Sequence, residues 1–316
     1  MTRTGSSPSP ARTVFFGSGG FAVPILERLA AMPGVDVVAV VTTPDRPKGR
    51  AGALTPTPVA VRAAASGIPI LQPERIRDPE AVAAIAALRP ELGVLADYGR
   101  IVPRRILDLP PRGILNVHPS LLPRHRGATP IPATIAAGDA SAGVSIIRMD
   151  DGIDTGPIVA QQAWPLGGDE RAPDLEATAA RRGAELLART VEAWRSGAIP
   201  AVPQDEAAAT STRPFRREDG RLDPARPAAE LERQVRANAP WPGTFLETAD
   251  GRIAILAASV GPAVDAALGT LTADGLATRD GVLRFDQVQP AGGKPMPWSA
   301  YLRGRPTVLG TTVTGR

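Results

Sequence analysis

Thr13-Val14-Phe15-Phe16-Gly17-Ser18-Gly19-Gly20-Phe21-Ala22 decides the fold class. An apolar run ending at glycines reads as a buried strand leaving a sheet, and residues 21–31 follow it with the apolar spacing of a helix. The alternation continues downstream. Residues 37–41, 68–71 and 92–96 read as buried strands, 59–65 and 79–88 as helices, and 113–118 and 144–149 as two further strands. Such alternation predicts an α/β architecture, a parallel-rich sheet with helices on both faces. A helix over 175–193, rich in Ala, Leu and Arg, closes this part of the chain.

Residues 198–214 carry Pro, Ala, Ser and Thr with little periodicity, which is linker composition. A short helix over 228–237 follows, then short strands at 243–247, 252–257, 269–271, 275–278 and 282–288 between Gly/Asp turns, the pattern of a small β-barrel. The expected organisation is a disordered extension over 1–11, an α/β domain over 12–195, a linker over 196–215 and a β-barrel over 216–316. A length of 316 residues suits two domains.

The chain has no cysteine, which excludes disulfides, zinc-thiolate sites and a cysteine nucleophile and fits a reducing, cytoplasmic setting. No apolar run approaches the roughly 20 residues that span a bilayer, and the Ser/Pro-rich start lacks the hydrophobic centre of a signal peptide. Lys and Arg number 36 against 32 Asp and Glu, an excess too small to announce a nucleic-acid partner. Two basic groups stand out by placement: Arg46, Lys48 and Arg50 in one Gly/Pro-rich loop, and Arg213, Arg216 and Arg217 near the expected junction. By composition alone both read as solvated surface.

Both histidines of the chain fall in Ile114-Leu115-Asn116-Val117-His118-Pro119-Ser120-Leu121-Leu122-Pro123-Arg124-His125. Asn116 and His118, two apart on a strand, point to the same side. Asp154 lies in the glycine-bracketed Met149-Asp150-Asp151-Gly152-Ile153-Asp154-Thr155-Gly156, where a carboxylate could orient an imidazole. An amide donor, an imidazole and a carboxylate suit transfer of an acyl group to an amine, since the first two can face a developing oxyanion and the amine supplies its own nucleophile. His125, on a loop, reads as surface or substrate-lining. Gly17-Ser18-Gly19-Gly20-Phe21-Ala22 also fits the dinucleotide-binding turn, with Asp45 at a distance suited to a ribose hydroxyl, so a nicotinamide-dependent oxidoreductase stays open on these residues alone.

Asn116-Val117-His118-Pro119-Ser120-Leu121-Leu122-Pro123 together with Gly152-Ile153-Asp154-Thr155-Gly156 resembles the signature of the folate-dependent formyltransferases, position by position for Asn116, His118 and Asp154. Further segments extend the likeness from about residue 12 to about 305: Phe21-Ala22-Val23-Pro24, Pro44-Asp45-Arg46-Pro47-Lys48-Gly49-Arg50, Tyr98-Gly99-Arg100-Ile101-Val102-Pro103, Asn238-Ala239-Pro240-Trp241-Pro242-Gly243 and Gln289-Pro290-Ala291-Gly292-Gly293-Lys294-Pro295-Met296. These are similar to the members of the family that act on methionine carried by initiator tRNA.

The resemblance implies a Rossmann-like domain holding 10-formyltetrahydrofolate and an OB-like β-barrel that helps hold tRNA. It implies Asn116, His118 and Asp154 as catalytic residues, Ser120, Leu121, Leu122 and Pro123 as the folate-lining segment, and Arg46, Lys48 and Arg50 as tRNA contacts, with no metal. The expected partners are initiator methionyl-tRNA and tetrahydrofolate, the expected state a monomer. Ala51-Gly52-Ala53 stands where the family usually has Gly-Lys-Lys, so the loop carries less charge and leans on Arg50. The same chemistry on another amine, such as a sugar nucleotide or glycinamide ribonucleotide, and a noncatalytic tRNA-binding role are the rival readings.

Overall fold

The computed structural model describes residues 9–48 and 52–313. The extension expected over 1–11 lies outside these, apart from its last three residues, and Ala11 already begins the first strand. In chain order the elements run β1 (Ala11–Gly17), α1 (Ala22–Ala30), β2 (Val35–Val41), β3 (Arg46–Lys48), β4 (Ala53–Thr55), α2 (Pro58–Ala65), β5 (Ile70–Leu71), α3 (Pro79–Ala87), β6 (Leu92–Ala96) and α4 (Arg104–Leu107). There follow β7 (Ile114–His118), β8 (Arg126–Gly127), α5 (Pro130–Ala137), β9 (Ser141–Arg148), β10 (Ile158–Pro165) and α6 (Ala172–Ser196). The last third holds β11 (Ser211–Thr212), α7 (Ala228–Ala237), β12 (Phe245–Thr248), β13 (Gly251–Gly261), β14 (Gly275–Ala277), β15 (Val282–Pro290), β16 (Met296–Pro297) and α8 (Trp298–Gly304).

Two compact units result. One comprises the chain through Ala128 with Ala142–Trp164 and Glu176–Ser211; the other comprises Thr129–Ser141, Pro165–Leu175 and everything from Thr212. The division therefore differs from one made at a single linker: 129–141 and 165–175 join the second unit, and 196–211 belongs to the first. Residues 202–211 have regular partners, Val202 bridging to Ile158 and Thr210 donating its N–H to the Pro123 carbonyl at 3.2 Å. Composition missed this because the partners are backbone groups and short polar side chains that leave no periodic signature.

The first unit is a seven-stranded sheet in the order β10-β9-β7-β6-β1-β2-β5. The pairs β1–β2, β1–β6, β2–β5 and β6–β7 are parallel, as the alternation predicts, whereas β9 runs antiparallel to β7. Helix α1 buries Ala22, Ile25, Leu26 and Leu29, one stripe at helical spacing. The start of α2 is held by Thr57, whose hydroxyl accepts from the Ala60 N–H at 3.0 Å, with Pro58 in the first turn where its missing N–H costs nothing. One core cluster joins Val14, Phe16, Leu95 and Ile114 to Ile85 of α3 and Ile106 of α4.

The long helix α6 meets the sheet at a glycine. A β-carbon on Gly183 would stand 2.9 Å from the Val117 Cγ1 of β7 and 3.3 Å from the Val144 Cγ1 of β9. The strand that carries Asn116 and His118 is thus pressed from behind by a helix without a side chain at the crossing.

In the second unit all strand pairs are antiparallel, in the order β12-β13-β15-β14 with β16 on β15. Two register shifts bend β13, and its inward residues Ile253 and Ile255 share a core with Leu283, Phe285 and Val288 of β15, Leu231 and Val235 of α7, and Trp298 and Tyr301 of α8. Trp298 packs edge-on against Phe285 and stacks on Tyr301. Residues 269–271 form no strand. Gly269 has φ 82, and Thr270 and Leu271 make single bridges to Thr312 and Leu276.

Gly183→Leu should lower stability by about 1–3 kcal/mol, because overpacking at this crossing outweighs the better helix propensity of leucine. The midpoint of urea unfolding, at unchanged slope, measures it.

Candidate active site

Strand β7 is buried along its length, and Asn116 and His118 alternate with Leu115 and Val117, so the polar pair shares one face while the apolar pair faces the core. Its register sets Asn116 beside Leu95 of β6, and Asn116 and His118 opposite Ile147 and Ser145 of β9. Both polar side chains sit at the carboxyl end of a parallel strand, where α/β sheets place ligands.

Asp154 arrives from the loop after β9. Asn116 Nδ2 donates to its Oδ1 at 3.0 Å, and the Gly127 N–H donates to its Oδ2 at 2.8 Å. The same Oδ2 lies 3.6 Å from His118 Nδ1, longer than a good hydrogen bond yet close for a carboxylate facing an imidazole. The other ring nitrogen, Nε2, donates to the His125 carbonyl at 3.0 Å. The structure thus brings Asn116, His118 and Asp154 into one cluster.

Asp154 has φ 55, a left-handed conformation that costs roughly 1–2 kcal/mol in an L-residue and that aspartate tolerates better than most. Two bonds from Gln204 brace it: Nε2 donates to the carbonyls of Asp154 and Gly156 at 2.8 and 2.7 Å. Gln204 Oε1 in turn accepts from Arg126 Nε and Nη2 at 3.1 and 2.8 Å, and Arg126 pairs with both oxygens of Glu206 at 2.9 and 2.7 Å. Gly156 has no room for a side chain, since a β-carbon there would fall 1.9 Å from the Arg148 carbonyl. Gln204 and Glu206 escape a reading by motif because they lie in the segment of linker composition.

His125 is buried, 7% exposed, which rules out the surface place among its two expected ones, surface or substrate-lining. Its φ of 59 turns the backbone so that its carbonyl meets His118 while its N–H donates to Thr210 Oγ1 at 2.8 Å. In the segment Ser120, Leu121, Leu122 and Pro123, Ser120 and Leu122 are buried and Leu121 and Pro123 partly exposed. Ser145 Oγ ties this loop, donating to the Ser120 carbonyl at 2.7 Å and accepting from the Leu122 N–H at 3.0 Å.

Arg46 and Lys48 stand on β3, paired with Thr55 and Ala53 of β4; Arg50 lies outside the described residues. Arg46 approaches Glu74 at 3.8 Å and takes no part in the Asn116/His118/Asp154 network. In the second unit Arg213 is committed to Asp219, donating to both carboxylate oxygens at 2.7 Å.

The glycine turn is used differently from a dinucleotide site. The N–H groups of Ser18 and Gly19 donate to the Asp97 carbonyl at 2.9 and 3.2 Å, and Gly19 lies so close to the Asp97 carboxylate that a β-carbon would fall 1.7 Å from Oδ2. Asp45 accepts from Gln72 Nε2 at 2.8 Å. The donors that would hold a pyrophosphate are occupied, and a carboxylate beside them repels one.

Residues 11–191 match the formyl transferase family and residues 214–306 its C-terminal domain. The chain belongs to the formyl transferase family. A methionyl-tRNA formyltransferase of Roseiflexus sp. (strain RS-1) is 46% identical over 301 residues, covering 93% of each chain. Among solved structures, a sugar N-formyltransferase from Shewanella sp. superimposes with a TM-score of 0.62 at 16% identity, over 78% of this chain and 96% of that one. HypX from Aquifex aeolicus gives 0.60 at 17% identity, over 93% of this chain and 49% of that one. At such identities the two structures speak for the fold.

Asp97, with φ 44, sits where β6 ends beside β7. Its carboxyl is pushed up from the usual 3.8 to about 6, first by burial and then by the charge of Glu176. The residue remains accessible to water, so protein crowds the carboxyl without sealing it. Because the folded protein holds this proton more tightly than the unfolded chain, its contribution to stability is present below about pH 4 and is lost as pH rises through about 6. Melting temperatures of the wild type and of Asp97→Asn, compared from pH 4 to 7, should show the wild type losing ground to the variant as pH rises.

Proposed function

We propose that the protein transfers the formyl group of 10-formyltetrahydrofolate to the α-amine of methionine esterified to initiator tRNA, releasing tetrahydrofolate. The observation that supports this reading most is the joining of Asn116, His118 and Asp154 at the end of β7, in a chain whose curated relatives, 40–46% identical over nearly their whole length, are methionyl-tRNA formyltransferases.

The amine nitrogen attacks the formyl carbon and the carbonyl becomes an oxyanion. Asn116 has two N–H donors, and since one goes to Asp154 the other is left for that oxygen. His118 keeps its Nε2–H on the His125 carbonyl, so its Nδ1, on the side of Asp154, is the nitrogen that takes up the proton the amine must lose. Collapse of the tetrahedral adduct breaks the bond to the folate nitrogen, which leaves with the proton that His118 took from the amine. In the folate segment, Leu121 and Pro123 offer contact surface while Ser120 and Leu122 hold the loop in shape. Arg46, Lys48 and Arg50 serve the tRNA, the unit centred on β12–β16 supports it, and the protein works as a cytoplasmic monomer. In this reading the first unit carries the chemistry and the second binds tRNA.

Incubation with 10-formyltetrahydrofolate and charged initiator tRNA should yield N-formylated product, with none from free methionine or a 3-amino sugar nucleotide; product only from the sugar would reverse the assignment. Asn116→Ala should lose about 10²- to 10³-fold in kcat, and His118→Ala and Asp154→Ala about 10²- to 10⁴-fold. Near-normal turnover of His118→Ala would refute the mechanism.

Arg50→Ala should weaken tRNA binding and reduce the magnitude of the log–log salt slope by about one, leaving folate affinity unchanged. Titrations at several salt concentrations measure both.

A further inference from the structure

Gln204 is assigned no role by motif or by family match, yet it makes four hydrogen bonds, two on each side of its amide. Its orientation is fixed by its neighbours. The carbonyls of Asp154 and Gly156 only accept, and the Arg126 guanidinium only donates, so the nitrogen must face the former and the oxygen the latter. Arg126 is held in turn by Glu206, and the residue after it, Gly127, donates its N–H to the Asp154 carboxylate.

The backbone and the side chain of Asp154 are therefore gripped from one strip of chain. Gly127 holds the carboxylate directly, and Arg126 holds the carbonyls through Gln204. Without Gln204, Asp154 would keep the bonds of its carboxylate, and the turn the bonds of Thr155 and Gly152 to Asp150, but both braced carbonyls would lose their side-chain donor.

We infer that Gln204 is a positioning residue for formyl transfer, which clamps the Asp154 turn to Arg126 and so fixes the carboxylate against Asn116 and His118. The inference rests on the reading of Asp154 as part of the catalytic cluster. A displacement of about 1 Å at such a group can cost on the order of 10²-fold in rate. A residue that acts only through Asp154 loses its effect once that carboxylate is gone, while a residue that merely supports the fold costs activity in either background.

The test is a double-mutant cycle on the full-length enzyme. Gln204→Ala should lower kcat roughly 10- to 100-fold, with the KM for 10-formyltetrahydrofolate and for methionyl-tRNA nearly unchanged. In the Asp154→Ala background it should change kcat less than about twofold. Gln204→Glu retains the volume and the Arg126 partner while setting a carboxylate oxygen against two carbonyls, so it should lose kcat to a similar degree while still melting in one cooperative transition, and it serves if the alanine variant fails to fold. Wild-type kcat in Gln204→Glu, or an equal loss from Gln204→Ala with and without the Asp154 carboxylate, would overturn the inference alone. Full turnover in Asp154→Ala would sink the catalytic reading and this inference with it.

Discussion

The carboxylate of Asp154 is the group on which the site depends. Its side chain is 13% exposed, and a charge so nearly withdrawn from water persists only where its oxygens find donors. Those donors come from two other segments: Asn116 on β7 and Gly127 on β8. Three stretches that are distant in sequence are therefore tied to one charged group. Meeting its needs orders the backbone around it as well, through a left-handed turn and a glycine at 156 pressed against the Arg148 carbonyl. The joining of the polar groups and the local fold are solved by the same hydrogen bonds.

The glycine turn after β1 shows how one motif serves two ends. Gly17-Ser18-Gly19-Gly20-Phe21-Ala22 has the spacing that elsewhere presents N–H groups to a phosphate, and the strand–turn–helix setting is the same. Here the Asp97 carbonyl takes those N–H groups and the Ser18 hydroxyl receives a hydrogen bond from Thr42 at 3.3 Å. The small residues let neighbouring chain come close, and what comes close is protein.

The strands of the first unit were legible because buried parallel strands are largely apolar runs, as β1, β2 and β6 are, while β7 reads as one that turns polar at its end. The same reading set Asn116 and His118 on one face, which their positions on β7 bear out. The direction of β9 was not legible, since the apolar positions among residues 144–149 read the same whichever way the strand runs. Strand β10 went unread, as Gln161 and Gln162 interrupt its apolar run. Helix α5 was missed too, because Pro130 and Pro132 suggest a loop although proline fits the first turn of a helix. Gln204 lay beyond reach for a different reason: an amide that bonds to backbone carbonyls some 50 residues away has no local pattern to betray it.

The close passage of α6 over β7 bears on how the strand finds its alignment. Val117 lies between Asn116 and His118 in sequence and on the opposite side of the sheet, where the absent side chain of Gly183 leaves it a notch. A slip of one residue would turn every side chain of β7 over, carrying Asn116 or His118 into that notch and Val117 out toward the Asp154 carboxylate. An amide or an imidazole would find a helix backbone there with no free donors or acceptors. The notch thus acts as a keyway that accepts a branched apolar side chain and rejects its polar neighbours, so the alignment that turns Asn116 and His118 toward Asp154 is the one the folding chain is steered to keep.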